Sequence, residues 1–562
     1  MNHNRPLHGS NQKTMSNSSP STRYTSRLRR PCQILLGLVL WGCTASPTPD
    51  IVLQNGTIYL DDRLTTDALA IHDGRIVATG AEVTTTEDTT VINLNGAVAY
   101  PGFHDAHVHL LPGSFVLERL VLIGASSMRT IEKKLEGYDK ENPDEPWLVG
   151  YGWVSDLMDN PSGVALDDIV SDRPVLLVSN SAHQALVNSK ALELVGIDEN
   201  TPDPPGGHIV RDETTGKPTG LLIEAALSLV SEQAVAAYSD HAFQIGLENQ
   251  LSEFASGGIT SISEILAAPG FDLARPWIYQ TLEEEGRLTT RVHYYAPVFS
   301  PEDLVDIAEY KGLYDSELIH FQGGKVWVDG SMSSGTPWTK EPHIDDSENF
   351  GLHYFDTDTL TAMVREAEAL EFGLKFHVNG DAAVEATLNA LEHVDTEVGG
   401  LQQKYVLDHV VLINAADRAR MATLGLVASV QPIHALTAKY GTSAEVWGEE
   451  RYAKAYDSAS LLNTGIPIAL GTDWPVWPSP DAIPSLWAAA TVQGDASMSV
   501  QDAITAYTQG GASSVANAEH GTLHEGARAD IVVYAQDLLT TPLAELQQVE
   551  LTHLFVNGTQ IR

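Results

Sequence analysis

Asp105, His107 and His109 stand at alternate positions in the stretch Pro101-Gly102-Phe103-His104-Asp105-Ala106-His107-Val108-His109-Leu110. The apolar run Ala97-Val98-Ala99-Tyr100 before it reads as a buried strand. Strand side chains alternate in direction, so all three groups share one face. Two imidazoles two residues apart on a stiff strand reach one metal ion together, and a carboxylate beside them can orient a ligand ring. A bare pair of this kind is common, and two core histidines are the plainer alternative. Five later places repeat the theme, a strand-like run ending in a metal-capable group. They are Lys325 in Gly324-Lys325-Val326-Trp327-Val328-Asp329-Gly330, His377 in Leu374-Lys375-Phe376-His377, His409 in Leu407-Asp408-His409, His434 in Val430-Gln431-Pro432-Ile433-His434, and Asp473 in Ile468-Ala469-Leu470-Gly471-Thr472-Asp473.

Groups so far apart in sequence converge only if the strands carrying them lie side by side. The middle of the chain alternates strand-like and helix-like runs, the pattern of a parallel sheet with crossover helices. In a (β/α)8 barrel the C-terminal ends of different strands meet at one site. The fold class expected is therefore α/β, a distorted (β/α)8 barrel over residues 98–515. Residues 381–394 read as one of its helices, with Val384, Leu388, Leu391 and Val394 on one face and Asp381 as the cap. Pro-Gly clusters and short strands mark 146–222 as an insertion, and the Trp and Tyr residues of 147–153 read as core. Both ends are rich in short strands, so 51–97 and 516–562 are expected to combine in one small β-sandwich.

The chain has 562 residues and a formal charge of −41, from 33 basic and 74 acidic residues. Residues 1–49 hold six Lys or Arg and no acid, which leaves 27 basic against 74 acidic residues, −47, in the rest. Such a surface repels nucleic acid and anionic lipid and suits a soluble enzyme. Cys32 and Cys43 are the two cysteines, so a metal site in the body must use His, Asp, Glu or Lys. Residues 1–43 read as an export leader: a basic, Ser-rich region, then the apolar run Ile34–Leu40, too short to span a bilayer. Leu40-Trp41-Gly42-Cys43 is close to a lipobox, with Trp41 out of pattern. It would make the protein periplasmic or membrane-anchored through an acylated Cys43. Residues 44–50 read as a linker.

As an ordered set, these motifs resemble the amidohydrolase superfamily, in particular its amidohydrolase-3 or YtcJ-like branch, which includes N-substituted formamide deformylases. The resemblance runs from about 51 to 562. It includes Trp147–Trp153 and His183–Leu192 in the insertion, and Gly521-Thr522-Leu523-His524-Glu525-Gly526-Ala527-Arg528-Ala529-Asp530 near the end. It departs at Glu264, where the family usually carries Asp. The resemblance implies that His107 and His109 bind a divalent ion, zinc by its ligand types, and that His377 and His409 bind a second ion or complete a single site. It implies that Lys325, if carboxylated, bridges two ions, and that Asp473 binds metal and handles the proton. An unmodified Lys325 would instead pair with an acid such as Asp329. His183 and His434 are placed as substrate or water contacts, and Asp105 as a support that orients a ligand histidine. The reaction implied is hydrolysis of a non-peptide carbon–nitrogen bond, an amide or N-formyl group of a small molecule. Two rivals are a mononuclear deaminase, for which a Glu soon after His377 is missing, and an exported metal-binding protein without catalysis. No G-x-S-x-G elbow, H-E-x-x-H site or P-loop competes.

Overall fold

The computed structural model describes residues 47–562 except 155–157, 159, 269–270, 273–274, 345, 439–446, 493, 495–496 and 517. The leader, Cys43 and the start of the linker lie outside the described residues.

Eight parallel strands form the central sheet: β1 (Phe103–Val108), β2 (Ile259–Ile265), β3 (Arg291–Val298), β4 (Ile319–Trp327), β5 (Gly373–Val378), β6 (Tyr405–His409), β7 (Val427–Val430) and β8 (Ile468–Leu470). Each pairs with its neighbour in chain order. The ring is nearly closed where the segment after β8 meets β1. Asp473 N donates to His107 O at 2.8 Å and His109 N donates to Trp474 O at 2.9 Å. The architecture is thus the (β/α)8 barrel expected from the alternating pattern. Its strands are buried on both faces, as parallel strands under helices must be.

The helix after β5 runs Asp381–Val398, longer than the periodicity suggested, and buries Val384, Leu388, Leu391 and Val394. Its cap differs from expectation. Gly380 is the N-cap, and Asp381 is the first helical residue, with its Oδ1 accepting from Lys340 N at 3.0 Å. An acid in the first turn still complements the helix dipole.

Strands within residues 51–101 and 531–560 share one mixed eight-stranded sheet. Its join is Val98–Pro101 antiparallel to Ile531–Tyr534, with Tyr100 opposite Val532. Alternation explains its two apolar faces. Leu53, Ala99, Ile531, Val533 and Phe555 share one core, while Val98, Tyr100, Val532, Tyr534 and Leu554 join the main core with barrel residues such as Phe103. A six-stranded sheet built from Leu120–Val121, Leu148–Trp153, Val175–Ser179, Gln184–Val187, Gly207–Arg211 and Pro218–Glu224 separates β1 from β2. It reaches past 146–222 on both sides.

Candidate metal centre

The ends of β1, β5 and β6 and the turn after β8 bring four buried groups together, His107, His377, His409 and Asp473. His107 Nε2 lies 3.5 Å and His109 Nε2 3.3 Å from Asp473 Oδ1. One donor atom from each of these three residues falls within 4.8 Å of the others. The His409 ring centroid is 4.8 Å from His107 and 4.5 Å from His377. His434 Nε2 is 3.9 Å from Asp473 Oδ2.

Hydrogen bonds assign the ring nitrogens. His109 Nδ1 faces Ala267 O at 2.5 Å, His409 Nδ1 faces Gln431 Oε1 at 2.7 Å, and His107 Nδ1 lies 3.1 Å from Asp408 Oδ1. The Nδ1–H of His109 and that of His409 therefore point at oxygens and leave each Nε2 a lone pair for an ion, while His107 Nδ1 lies beside Asp408 Oδ1 without a well-formed hydrogen bond. Burial drives the His107 imidazole down to about 4, and it holds His377 and His409 well below the usual histidine range. All three are neutral near pH 7, as ligation requires. Burial alone would raise the Asp473 carboxyl, but His107, His109 and His409 around it hold it well below the carboxylate range. Its Oδ1 is buried and receives no well-formed hydrogen bond, only the two imidazole contacts. Two imidazoles and a buried carboxylate oxygen left without a donor fit a divalent ion, and this N,N,O set suits zinc. His377 is the exception, since its Nε2 takes a hydrogen bond from Asn379 Nδ2 at 2.9 Å.

The backbone is strained where the site is built. Asp473 has φ 57, His409 φ 71 and Val410 φ 47, left-handed values that residues with a Cβ rarely adopt. Asp105 holds the first of these bends. Its carboxylate accepts from Thr472 N at 3.0 Å, Thr472 Oγ1 at 2.6 Å and His107 N at 3.2 Å. It therefore positions ligands through their backbone rather than through an imidazole N–H. Burial raises this carboxyl to about 7.

Lys325 is buried and pairs with Asp408, not with Asp329. Lys375 Nζ also reaches Asp408, at 3.1 Å. Asp329 instead accepts backbone N–H groups from Asn379, Gly380 and Trp338 at 2.7–3.0 Å, and so shapes the loop after His377. His183 Nδ1 lies 2.6 Å from Glu224 Oε2, and its ring is 5.4 Å from that of His377. Glu224 also accepts from Tyr354 Oη at 2.8 Å and from Thr336 Oγ1. The inserted sheet thus delivers one imidazole to the barrel site. Both Ala182, beside His183, and Glu224 have positive φ, 62 and 53.

Three supports escaped the sequence reading, Asp408, Glu224 and Glu264. Asp408 was legible only as the neighbour of His409. Glu264 stands out in sequence only as a departure, yet it accepts from Leu110 N at 2.7 Å and Leu111 N at 3.0 Å. It fixes the start of the helix that follows His109.

Residues 90–562 match the amidohydrolase family (Amidohydro_3). This chain is a member of the amidohydrolase family. Among its relatives, the putative amidohydrolase YtcJ of Bacillus subtilis is 30% identical over 533 residues, covering 90% of this chain and 98% of its own length. The N-substituted formamide deformylase of Arthrobacter pascens is 26% identical over 542 residues, covering 91% and 97%. A solved metal-dependent hydrolase from Pyrococcus horikoshii OT3 superposes with a TM-score of 0.70 at 23% identity, covering 88% of this chain and 99% of that one. In this amidohydrolase the expected residues meet at one place: His107, His109 and Asp473 as a compact donor set, His409 and His377 beside it, and His183 and His434 around it.

Proposed function

We propose that the protein hydrolyses an amide or N-formyl bond of a small molecule, with one divalent ion held by His107, His109 and Asp473. The observation that carries this reading is Asp473 Oδ1, a buried carboxylate oxygen 3.5 Å and 3.3 Å from two imidazole nitrogens. A divalent ion in such a site polarises a carbonyl and lowers the pKa of water from about 15.7 to about 7. Asp473 accepts the proton of the attacking water and returns it to the leaving nitrogen as the carbon–nitrogen bond breaks. His183, held by Glu224, presents its Nε2 to the substrate, and His434 lies against the second oxygen of Asp473. A narrow apolar recess of about 20 Å³, room for about one water, lies beside His109, lined by Val116, Tyr151, Val178, Ala182, Pro475 and Val476. The whole-length likeness to a formamide deformylase points the same way.

A two-ion centre is the second reading, and the pairing of two lysines with one buried carboxylate favours it. Lys325 and Lys375 leave Asp408 outnumbered, and burial lowers the Lys325 ammonium to about 8. Carboxylation of Lys325 by carbon dioxide would remove one positive charge and supply two bridging oxygens. The commitment of His377 Nε2 to Asn379 favours the single ion. Formate and carboxylate release from a panel of N-formyl and N-acyl amines tests the reaction, and absence of turnover by zinc-loaded protein would overturn it. Zinc content with and without bicarbonate separates the two readings. One equivalent is expected at this centre in both cases, and Lys325→Ala should keep it. A bicarbonate-dependent second equivalent here, lost in Lys325→Ala and restored in activity by short-chain carboxylic acids, would establish the bridged pair.

A further inference from the structure

The barrel buries a second group of histidines at the end opposite the one just described. His104 lies at the start of β1, His293 near the start of β3, and His520 in the segment before Ile531–Tyr534. All three are buried, with ring centroids 5.6, 5.2 and 5.1 Å apart. One nitrogen of each lies within 4.8 Å of the others. His320 of β4 stacks on His293 at 5.0 Å. The hydrolysis uses none of them.

Their partners are few. His104 is flanked by Ser261 Oγ at 2.9 Å and Ser263 Oγ at 3.0 Å, and His293 Nδ1 lies 3.2 Å from Gln322 Nε2. Neither nitrogen of His520, nor Nε2 of His293, has a hydrogen-bond partner among the described residues. A buried polar atom left unsatisfied costs about 1–3 kcal/mol, so unpaired nitrogens gathered in one place call for an occupant. The neighbouring cations are already matched. Arg291 bonds Asp530 at 2.9 and 3.0 Å, and Lys375 pairs with Asp408.

We propose that His104, His293 and His520 form a second metal site, for a divalent transition ion of the zinc type, that ties the barrel floor to the segment leading into the terminal sheet. Three neutral imidazoles are a sufficient zinc donor set. Zinc–nitrogen distances of about 2.0–2.1 Å put tetrahedral donors about 3.3 Å apart, so the rings must close by up to about 1.5 Å. His104 keeps one serine contact as the bond that orients its ring and releases the other. His293 must move its proton to Nδ1, which needs an acceptor. The Gln322 amide supplies one by turning its oxygen inward, at the expense of the bond its Oε1 accepts from Ala516 N at 2.7 Å. A carboxylate at position 322 accepts from both groups at once. The role is structural, since Asp530, whose charge reaches His520, is held by Arg291 and leaves no free base for catalysis.

The test uses the full chain, stripped with a chelator, reloaded with zinc chloride and crystallised, with diffraction recorded on both sides of the zinc absorption edge. An anomalous peak enclosed by the three rings is expected, separate from any peak at His107, His109 and Asp473, so the outcome stands apart from the reading of the catalytic centre. In solution, His520→Gln should lower zinc content by one equivalent per chain, and Gln322→Glu should tighten the floor site at least about tenfold. A water or empty space between the rings of the zinc-loaded crystal, with unchanged zinc content in His520→Gln, overturns the proposal.

Discussion

Two histidine clusters sit at opposite ends of one barrel, and they are built differently. At the mouth, Asp473 and His409 stand on strained backbone, and acids support the cluster: Asp473 between two imidazoles, Asp408 against His107, Asp105 on the turn. On the floor, His104 and His293 lie within regular strands, and their partners are neutral, Ser261, Ser263 and Gln322. Burial holds His107, His377 and His409 at the mouth, and His104, His293 and His520 on the floor, below the usual histidine range. Neutral imidazoles alone therefore make a ligand set. Catalysis also needs an ionised carboxylate with a free oxygen, and the mouth alone has one in Asp473.

Turnover should separate the two ends most sharply. Asp473→Asn keeps the shape and removes the base, so kcat should fall about 10²–10⁴-fold, the usual worth of general acid–base catalysis. His520→Gln should leave kcat within about twofold at equal zinc occupancy of the mouth. Steady-state kinetics beside metal analysis of both variants checks this. Comparable losses in the two would erase the division between catalytic mouth and structural floor.

Stability against pH probes the acids of the mouth in a second way. Burial raises the Glu264 carboxyl to about 8, against 4.5 in the unfolded chain. As pH rises from 4.5 toward 8, the folded protein keeps a proton that the unfolded chain has released, so stability falls. Between pH 6.5 and 8 the loss should approach about 2 kcal/mol. Glu264→Gln has no proton to lose and should flatten that slope in urea unfolding. An unchanged slope would mean that the two backbone N–H groups keep Glu264 ionised throughout.

The smallest effect concerns the imidazole that the insertion delivers. Glu224→Gln weakens the hold on His183 without touching His107, His109 or Asp473. It should cost about 10-fold in kcat/KM, the low end for the loss of an orienting partner, with zinc content unchanged. Full activity in this variant would remove the inserted sheet from the site.

The primary structure by itself determined the barrel and most of its mouth. Strand patterning is local, and a parallel barrel always gathers its strand ends, so His107, His109, His377, His409 and Asp473 were legible as one set before any coordinates. The strand-rich character of both termini was legible too, from their short apolar runs. Tertiary structure decided what pairs with what. Lys325 meets Asp408 rather than Asp329, Asp105 grips the Thr472 backbone rather than a ring, and Gly380 rather than Asp381 caps the helix. It also brought Glu224 from the insertion to His183, and His520 from the far end of the chain to His104. Those contacts span up to 416 residues of sequence. No periodicity encodes them, because they depend on which side chains the closed barrel turns toward one another.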